Sequence, residues 1–314
     1  MISDKRTVDG LRVTILLATK NGAPHLREQL NSYLNQTHQN WDLWVSDDAS
    51  TDNTLDMLRE FKELHGSSRE IKIIPGPQSG HANNFLSLLC HPDLPEGPVA
   101  LSDQDDVWLP EKIQMALTYM DGCSEVCLYG AQSIHTDCQL RPIGKSRYLD
   151  REPCFLNSLV QNVVSGHSCV LSKSALKIVK SAGCSQKIPH HDWWLYQLIS
   201  GAGGQVSVDP RATVLYRQHK ENKVGAHQGI RSKLHRFAQI NKSTYSSWIH
   251  ANISALSNNS HLLTEENRKV VNNLKLDNSK PGLRRALKLY RYGIHRQSKL
   301  QTACLYMFAA MGRV

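Results

Sequence analysis

Four apolar runs, each followed within a few residues by a helical pattern, constrain this chain more than any other feature. They are LRVTILLAT (Leu11–Thr19), WDLWVS (Trp41–Ser46), IKII (Ile71–Ile74) and VALS (Val99–Ser102). A run with no polar alternation is the pattern of a strand covered on both faces. After the first run, the Asn21-Gly22 turn leads into a helix with Leu26, Leu30, Tyr33 and Leu34 on one side. After the second, DDASTDNT offers Ser50 or Asp52 as N-cap for LDMLREFKEL. The third is followed by a helix from about 82 to 89, and the fourth by a helix whose first turn holds Pro110. Strand and helix alternating in this way predict right-handed crossovers and a mainly parallel central sheet, hence an α/β fold. Ligands of such sheets bind beyond the carboxyl ends of the strands.

Both acidic clusters fall at those ends. Asp47-Asp48 closes the second strand, and VALSDQDDVWLP places Asp103, Asp105 and Asp106 at the tip of the fourth. Alternate residues leaving a strand tip can turn two carboxylates toward one hard cation, and Mg²⁺ typically takes one or two carboxylates together with phosphate and water. An acid cluster that merely caps a helix reads the same in isolation. Position favours a ligand, because three acids on one rim repel one another unless a cation or donors balance them. Asp47-Asp48 can accept hydrogen bonds from a nucleobase or a ribose, or can cap a helix. There is no G-x-G-x-x-G after the first strand and no G-x-x-x-x-G-K-[ST], so dinucleotide binding and P-loop hydrolysis lose their support.

Beyond residue 125 the rhythm loosens. VCLYGAQ and HSCVLS read as strands, CFLNSLVQNVV and KSALKIVKSAG as helices, HHDWWLYQLISGAGG as a helix stopped by glycine, and ATVLYRQH as a strand. In PHHDWWLYQ, Asp192 lies between imidazoles and indoles, a setting that can raise a carboxylate toward the range of a general base. Alternatively Trp193 and Trp194 are core and Asp192 a helix N-terminal charge. One of the indoles can also stack on a sugar, with His191 beside it. His219, closing LYRQH, reads as a metal ligand or as an ordinary polar strand end.

The chain of 314 residues has a formal net charge of +9, which points to nucleic acid, an anionic membrane or an anionic small substrate. The excess is local: from Lys280 to Val314 there are eight Lys or Arg and no acid. Leu283, Leu287, Tyr290 and Ile294 recur there at helical spacing, as in a helix lying on anionic lipid or packing one face on a domain. A nucleic-acid-binding sheet would interleave base-stacking aromatics with Lys and Arg, whereas here Trp193 and Trp194 adjoin an acid, which argues against nucleic acid as a partner. Neither an apolar leader nor a run of about 18 apolar residues is present, and the eight cysteines are scattered, so a cytoplasmic protein with reduced thiols is expected.

Taken in order, TILLATKNGAPHLREQLNSYLNQTHQNWDLWVSDDASTDNT, LSDQDDVWLPEKI, LVQNVVSGHSCVLS, HHDWWLYQLIS and LYRQHKENKVG resemble family 2 glycosyltransferases, closest to the bacterial rhamnosyltransferase-like branch. The resemblance covers about Val13 to Val224. It implies an A-type glycosyltransferase (Rossmann-like) fold, with a catalytic domain over residues 1–225 and a helical basic region over 226–314. It further implies inverting transfer from a nucleoside diphosphate sugar to a glycan or lipid-linked acceptor, with Mg²⁺ or Mn²⁺ as cofactor, on the inner face of the plasma membrane. Thr19, Asn21, Asp47 and Asp48 match positions that hold the nucleoside. Asp103 and Asp105 match the D-x-D pair, the second of which meets the metal. Asp192 matches the base on the acceptor hydroxyl, and His219 a residue near the metal or diphosphate. Two departures stand out: Ala49 where glycine is usual in DDGS, and Lys20 where an aromatic is common before NG.

Overall fold

A computed structural model describes residues 10–184, 187–219, 244–275 and 282–313. The chain opens with β1 (Val13–Thr19), α1 (Ala23–Leu34), β2 (Trp41–Asp47), α2 (Thr54–His65), β3 (Ile71–Pro75), α3 (His81–Leu89) and β4 (Val99–Ser102). It continues through β5 (Val107–Trp108), α4 (Lys112–Asp121), β6 (Cys127–Thr136), β7 (Pro142–Lys145), α5 (Phe155–Ser158), β8 (Val170–Leu171), α6 (Lys173–Ala182), α7 (His191–Gly201) and β9 (Gln205–Arg217). Four further helices follow: α8 (Thr244–Asn258), α9 (Glu265–Lys275), α10 (Gly282–Arg291) and α11 (Lys299–Ala310).

The nine strands form one sheet in the order β3-β2-β1-β4-β8-β6-β9-β5, with β7 on the flank of β6. β3, β2, β1 and β4 are parallel, as the alternation predicts. The second half is mixed: β8 runs antiparallel between β4 and β6, β6 and β9 are parallel, and β5 and β7 pair antiparallel. Between β6 and β8 no full crossover helix intervenes, so β8 returns antiparallel to β6. CFLNSLVQNVV is helical only over Phe155–Ser158, and the rest runs as loop into a 3-10 turn at Gly166–Ser168.

Period-two alternation along β1 sorts the core into two layers. Val13, Ile15 and Leu17 face α1, α2 and α4 with Leu26, Leu30, Tyr33, Leu58 and Ile113. Leu16 and Ala18 face the other side, with Phe85, Leu176 and Trp194. That second layer also takes in Leu256 of α8, Val271 of α9, Leu289 of α10 and Phe308 of α11. The link between α10 and α11 also ties to the catalytic body through polar bonds: Gln297 N–H donates to Gln161 Oε1 at 2.8 Å, and Arg296 Nη1 donates to the Val160 carbonyl at 3.0 Å. The expected division at 225/226 lies outside the described residues. Among the described residues, no helix is long and apolar enough to cross a membrane.

Candidate active site

The carboxyl ends of β1, β2 and β4 meet the end of β9 and the first turns of α3 and α7 along one rim. Each acid there is placed by its own loop. Asp47 anchors the turn after β2: its carboxylate accepts from Thr19 Oγ1 at 2.8 Å, from Ser50 N–H at 2.8 Å and from Ser50 Oγ at 2.6 Å. Thr19 is buried and its hydroxyl donates to Asp47, so the two side chains join the ends of β1 and β2 at the rim. Asp48 accepts from Gln78 N–H at 2.5 Å. Asn21 Oδ1 accepts from Thr51 N–H at 2.8 Å, while the Asn21 N–H donates to Ser50 Oγ at 2.8 Å, so Asn21 fastens the first loop to the second. Asn21 and Ala49 both sit in the left-handed region, at φ 51° and 62°. Glycine adopts this region freely and alanine does not, so the replacement at 49 is accommodated with strain.

Gln104 links the loop after β4 to the loop after β1. Its Oε1 accepts from Lys20 N–H at 2.8 Å and its Nε2 donates to the Lys20 carbonyl at 3.0 Å, like one more rung of a strand ladder. A Cβ at residue 22 would lie 2.4 Å from that same Oε1, so the close approach requires Gly22.

Asp103, Asp105 and His219 keep part of their side chains accessible, at 22%, 20% and 18%, whereas Asp106 is fully buried. His219 Nε2 lies 2.6 Å from Asp105 Oδ2. Asp103 Oδ1 is buried and meets no hydrogen-bond donor; His81 Nε2, at the start of α3, stands 3.6 Å away. Burial first, then the neighbouring Asp105 and Asp192 charges, push Asp103 up to about 7. Burial and the same crowding raise Asp106 well above the carboxylate range. This proton affinity is the mark of a site short of positive charge, and a divalent cation at Asp103 and Asp105 fits it.

Two buried cations hold the acid loop from behind. Arg217, at the end of β9, donates Nε to the Asp105 carbonyl at 2.9 Å, Nη1 to the Cys138 carbonyl at 2.6 Å and Nη2 to Glu28, while its N–H donates to Asp106 Oδ1 at 3.1 Å. Lys112 Nζ lies 3.7 Å from the Trp108 ring centre and donates to the His167 carbonyl; burial lowers it to about 7. Asp106 and His167 come close enough to Asp103 for a three-ligand cluster. Asp106 and His167 are buried, whereas Asp105 and His219 keep part of their side chains accessible.

At the start of α7, Asp192 Oδ1 accepts from Trp193 N–H at 2.7 Å and Oδ2 from Gly166 N–H at 3.2 Å. Burial raises its pKa, against the pull of His190 and of these amides. His191 is buried and stacks on Phe85 at 4.2 Å; Trp194 is core, and Trp193 is buried with Nε1 donating to the Ser158 carbonyl at 2.6 Å. These three side chains are packed into the protein and support the helix.

Residues 14–177 match the family model described as "Glycosyl transferase family 2". Over 270 residues the chain is 30% identical to the dTDP-rhamnosyl transferase RfbG of Shigella flexneri, which covers 83% of this chain and 91% of that protein. The chain belongs to glycosyl transferase family 2. Solved structures agree on the fold. S. aureus TarS 1–349 in complex with UDP-GlcNAc superposes with a TM-score of 0.55 at 15% identity, over 91% of this chain and 93% of that one. The mannosyltransferase PcManGT from Pyrobaculum calidifontis, in complex with GDP-Man and Mn²⁺, gives 0.53 at 17% identity, over 96% and 86%. The glycosyltransferase thus has the A-type fold with a helical C-terminal region. Sequence reading alone passed over Gln104, His81, Lys112, His167 and Arg217. Arg217 was within reach, since an arginine inside an apolar strand needs buried acceptors.

Proposed function

We propose that this glycosyltransferase is an inverting, divalent-metal-dependent enzyme that moves a sugar from a nucleoside diphosphate donor to a hydroxyl of a glycan or lipid-linked acceptor, working at the inner face of the plasma membrane in bacterial surface polysaccharide synthesis. Rhamnose from dTDP-rhamnose is the first donor to test, on the similarity to the Shigella flexneri enzyme; UDP-glucose and UDP-galactose are the alternatives. One observation carries the reading: the partly accessible Asp103, Asp105 and His219 lie on the same rim as a carboxylate, Asp192, whose proton affinity burial has raised.

Asp48 and the loops tied by Asn21 and Gln104 receive the nucleoside. Asp103, Asp105 and His219 would hold Mg²⁺ or Mn²⁺, which when bound neutralises the charge that develops on the departing diphosphate. Asp192 takes the proton from the acceptor hydroxyl as its oxygen attacks the anomeric carbon; the carbon–diphosphate bond breaks in the same displacement, and the configuration inverts. Buried Lys112 and Arg217 keep the acid loop in place throughout.

Thermal stability of the purified protein against nucleoside diphosphates and their sugars, with and without Mn²⁺, tests the donor clamp, because a ligand of the native state raises its melting point. A metal-dependent rise with a thymidine or uridine diphosphate sugar, abolished in Asp105→Ala, is expected. No rise with any nucleotide would remove the donor assignment.

A further inference from the structure

The last two helices carry an outward apolar face. On α10, Leu283, Leu287 and Tyr290 recur at i, i+4 and i+7 and are 74%, 48% and 68% exposed. On α11, Leu300, Met307 and Met311 recur at i, i+7 and i+11 and are 76%, 49% and 51% exposed. The helices run antiparallel: Gly282 lies against the carbonyls of Ala309 and Ala310, and Tyr290 meets the edge of Tyr306 at 6.1 Å. Each buries its other side in the shared core, through Ala286 and Leu289 on α10 and Leu305, Phe308 and Ala309 on α11. With helical periodicity and antiparallel packing, both stripes turn to the same side, away from the body. The sequence pattern alone put Ile294 in this face; it is fully buried, and the stripe continues instead onto α11.

Charge selects what covers the face. Exposed Arg284, Arg291, Lys299 and Arg313 surround it, and from Gly282 to Arg313 the chain has seven Lys or Arg and no acid. A second copy docking on the same face about a two-fold axis would bring these like charges together without a counter-charge. A nucleic acid would meet the cations but leave Leu and Met in water. A bilayer with anionic headgroups satisfies both: cations at the phosphates, aliphatic side chains among the upper acyl carbons and Tyr290 at the boundary.

We propose that α10 and α11 form a two-helix platform that docks the enzyme flat on an anionic phospholipid bilayer. The platform deepens the peripheral-membrane part of the transferase reading, and rests on that reading for the lipid-linked acceptor but not for the docking itself. It stands on the same packed unit as the active site, since Arg296 and Gln297, between the two helices, bond the 160–161 segment that leads to Gly166 beneath Asp192.

Sedimentation of the full chain with vesicles of phosphatidylcholine, alone or mixed with phosphatidylglycerol, tests the platform. Binding is expected to mixed vesicles only and to weaken with added salt. Arg284→Glu with Arg291→Glu should lower the partition coefficient by about 25-fold or more, about fivefold for each surface cation removed. Leu287→Ser with Met307→Ser should weaken binding at unchanged charge, and all four substitutions are at exposed positions and should leave the melting point and nucleotide-induced stabilisation as they were. Equal binding to both lipid compositions, or variants that bind like the parent, would overturn the proposal. So would a dimer in solution that the Leu287→Ser/Met307→Ser variant dissolves, since the face would then belong to a second copy. Vesicle binding without nucleotide stabilisation would leave the platform standing and remove the donor assignment alone.

Discussion

Replacing Asp192 with asparagine separates the base from its scaffold. The carboxylate accepts from Trp193 N–H at 2.7 Å and Gly166 N–H at 3.2 Å. Asparagine keeps one acceptor oxygen, but its NH₂ group then faces an amide donor, so the fold loses one charge-assisted hydrogen bond, worth about 1.5–3 kcal/mol. A domain with about 5–15 kcal/mol of stability survives that loss. The chemical step loses more: general-base catalysis contributes about 10²–10⁴-fold, or roughly 3–5 kcal/mol of barrier. In steady-state assays of donor turnover, Asp192→Asn should therefore lower kcat by two to four orders of magnitude with little change in donor KM. The pH profile carries the sign. Burial raises the pKa of Asp192, so the parent enzyme should lose activity, as pH falls, at a higher pH than an ordinary carboxylate would impose, and the residual activity of the variant should lack that limb. A variant that keeps more than about a tenth of kcat, or that keeps the acid limb unchanged, would refute Asp192 as the base.

Arg217→Lys keeps the charge and removes the fork that reaches the carbonyls of Asp105 and Cys138. Two hydrogen bonds from a buried cation are worth about 3–5 kcal/mol together, so the melting point should fall by on the order of 10 °C and Mn²⁺ should bind more weakly to the displaced loop; an unchanged melting point and metal titration would refute the bracing role. Ala49→Gly relieves a left-handed alanine at a cost of unfolded-chain entropy, for a net gain of about 0.5–1 kcal/mol in urea unfolding; destabilisation would show that the 62° backbone angle carries no strain.

The residues that sequence reading found, and those it missed, differ in what fixes them. β1 to β4 were legible because strands buried on both faces have no polar alternation, and the four acids at their tips, Asp47, Asp48, Asp103 and Asp105, follow by position alone. The second half was harder because its strands are held by partners distant in sequence. Two-residue β5 has no periodicity to detect and exists only against β9, more than 100 residues later. CFLNSLVQNVV has the apolar content of a longer helix, yet its backbone past Ser158 serves tertiary bonds instead: the Ser158 carbonyl accepts from Trp193 and Gln197, and that of Val160 from Arg296. The same limit applies to the site. A motif shows which carboxylates gather, but not which of them water reaches. Accessibility is what separates Asp103 and Asp105 from Asp106, three residues of one tetrapeptide. Asp106 is enclosed by groups distant in sequence: Arg217, 111 residues later, donates its N–H to Asp106 Oδ1, and His167 Nδ1 lies 3.9 Å from Asp106 Oδ2, while the first two acids stay partly open.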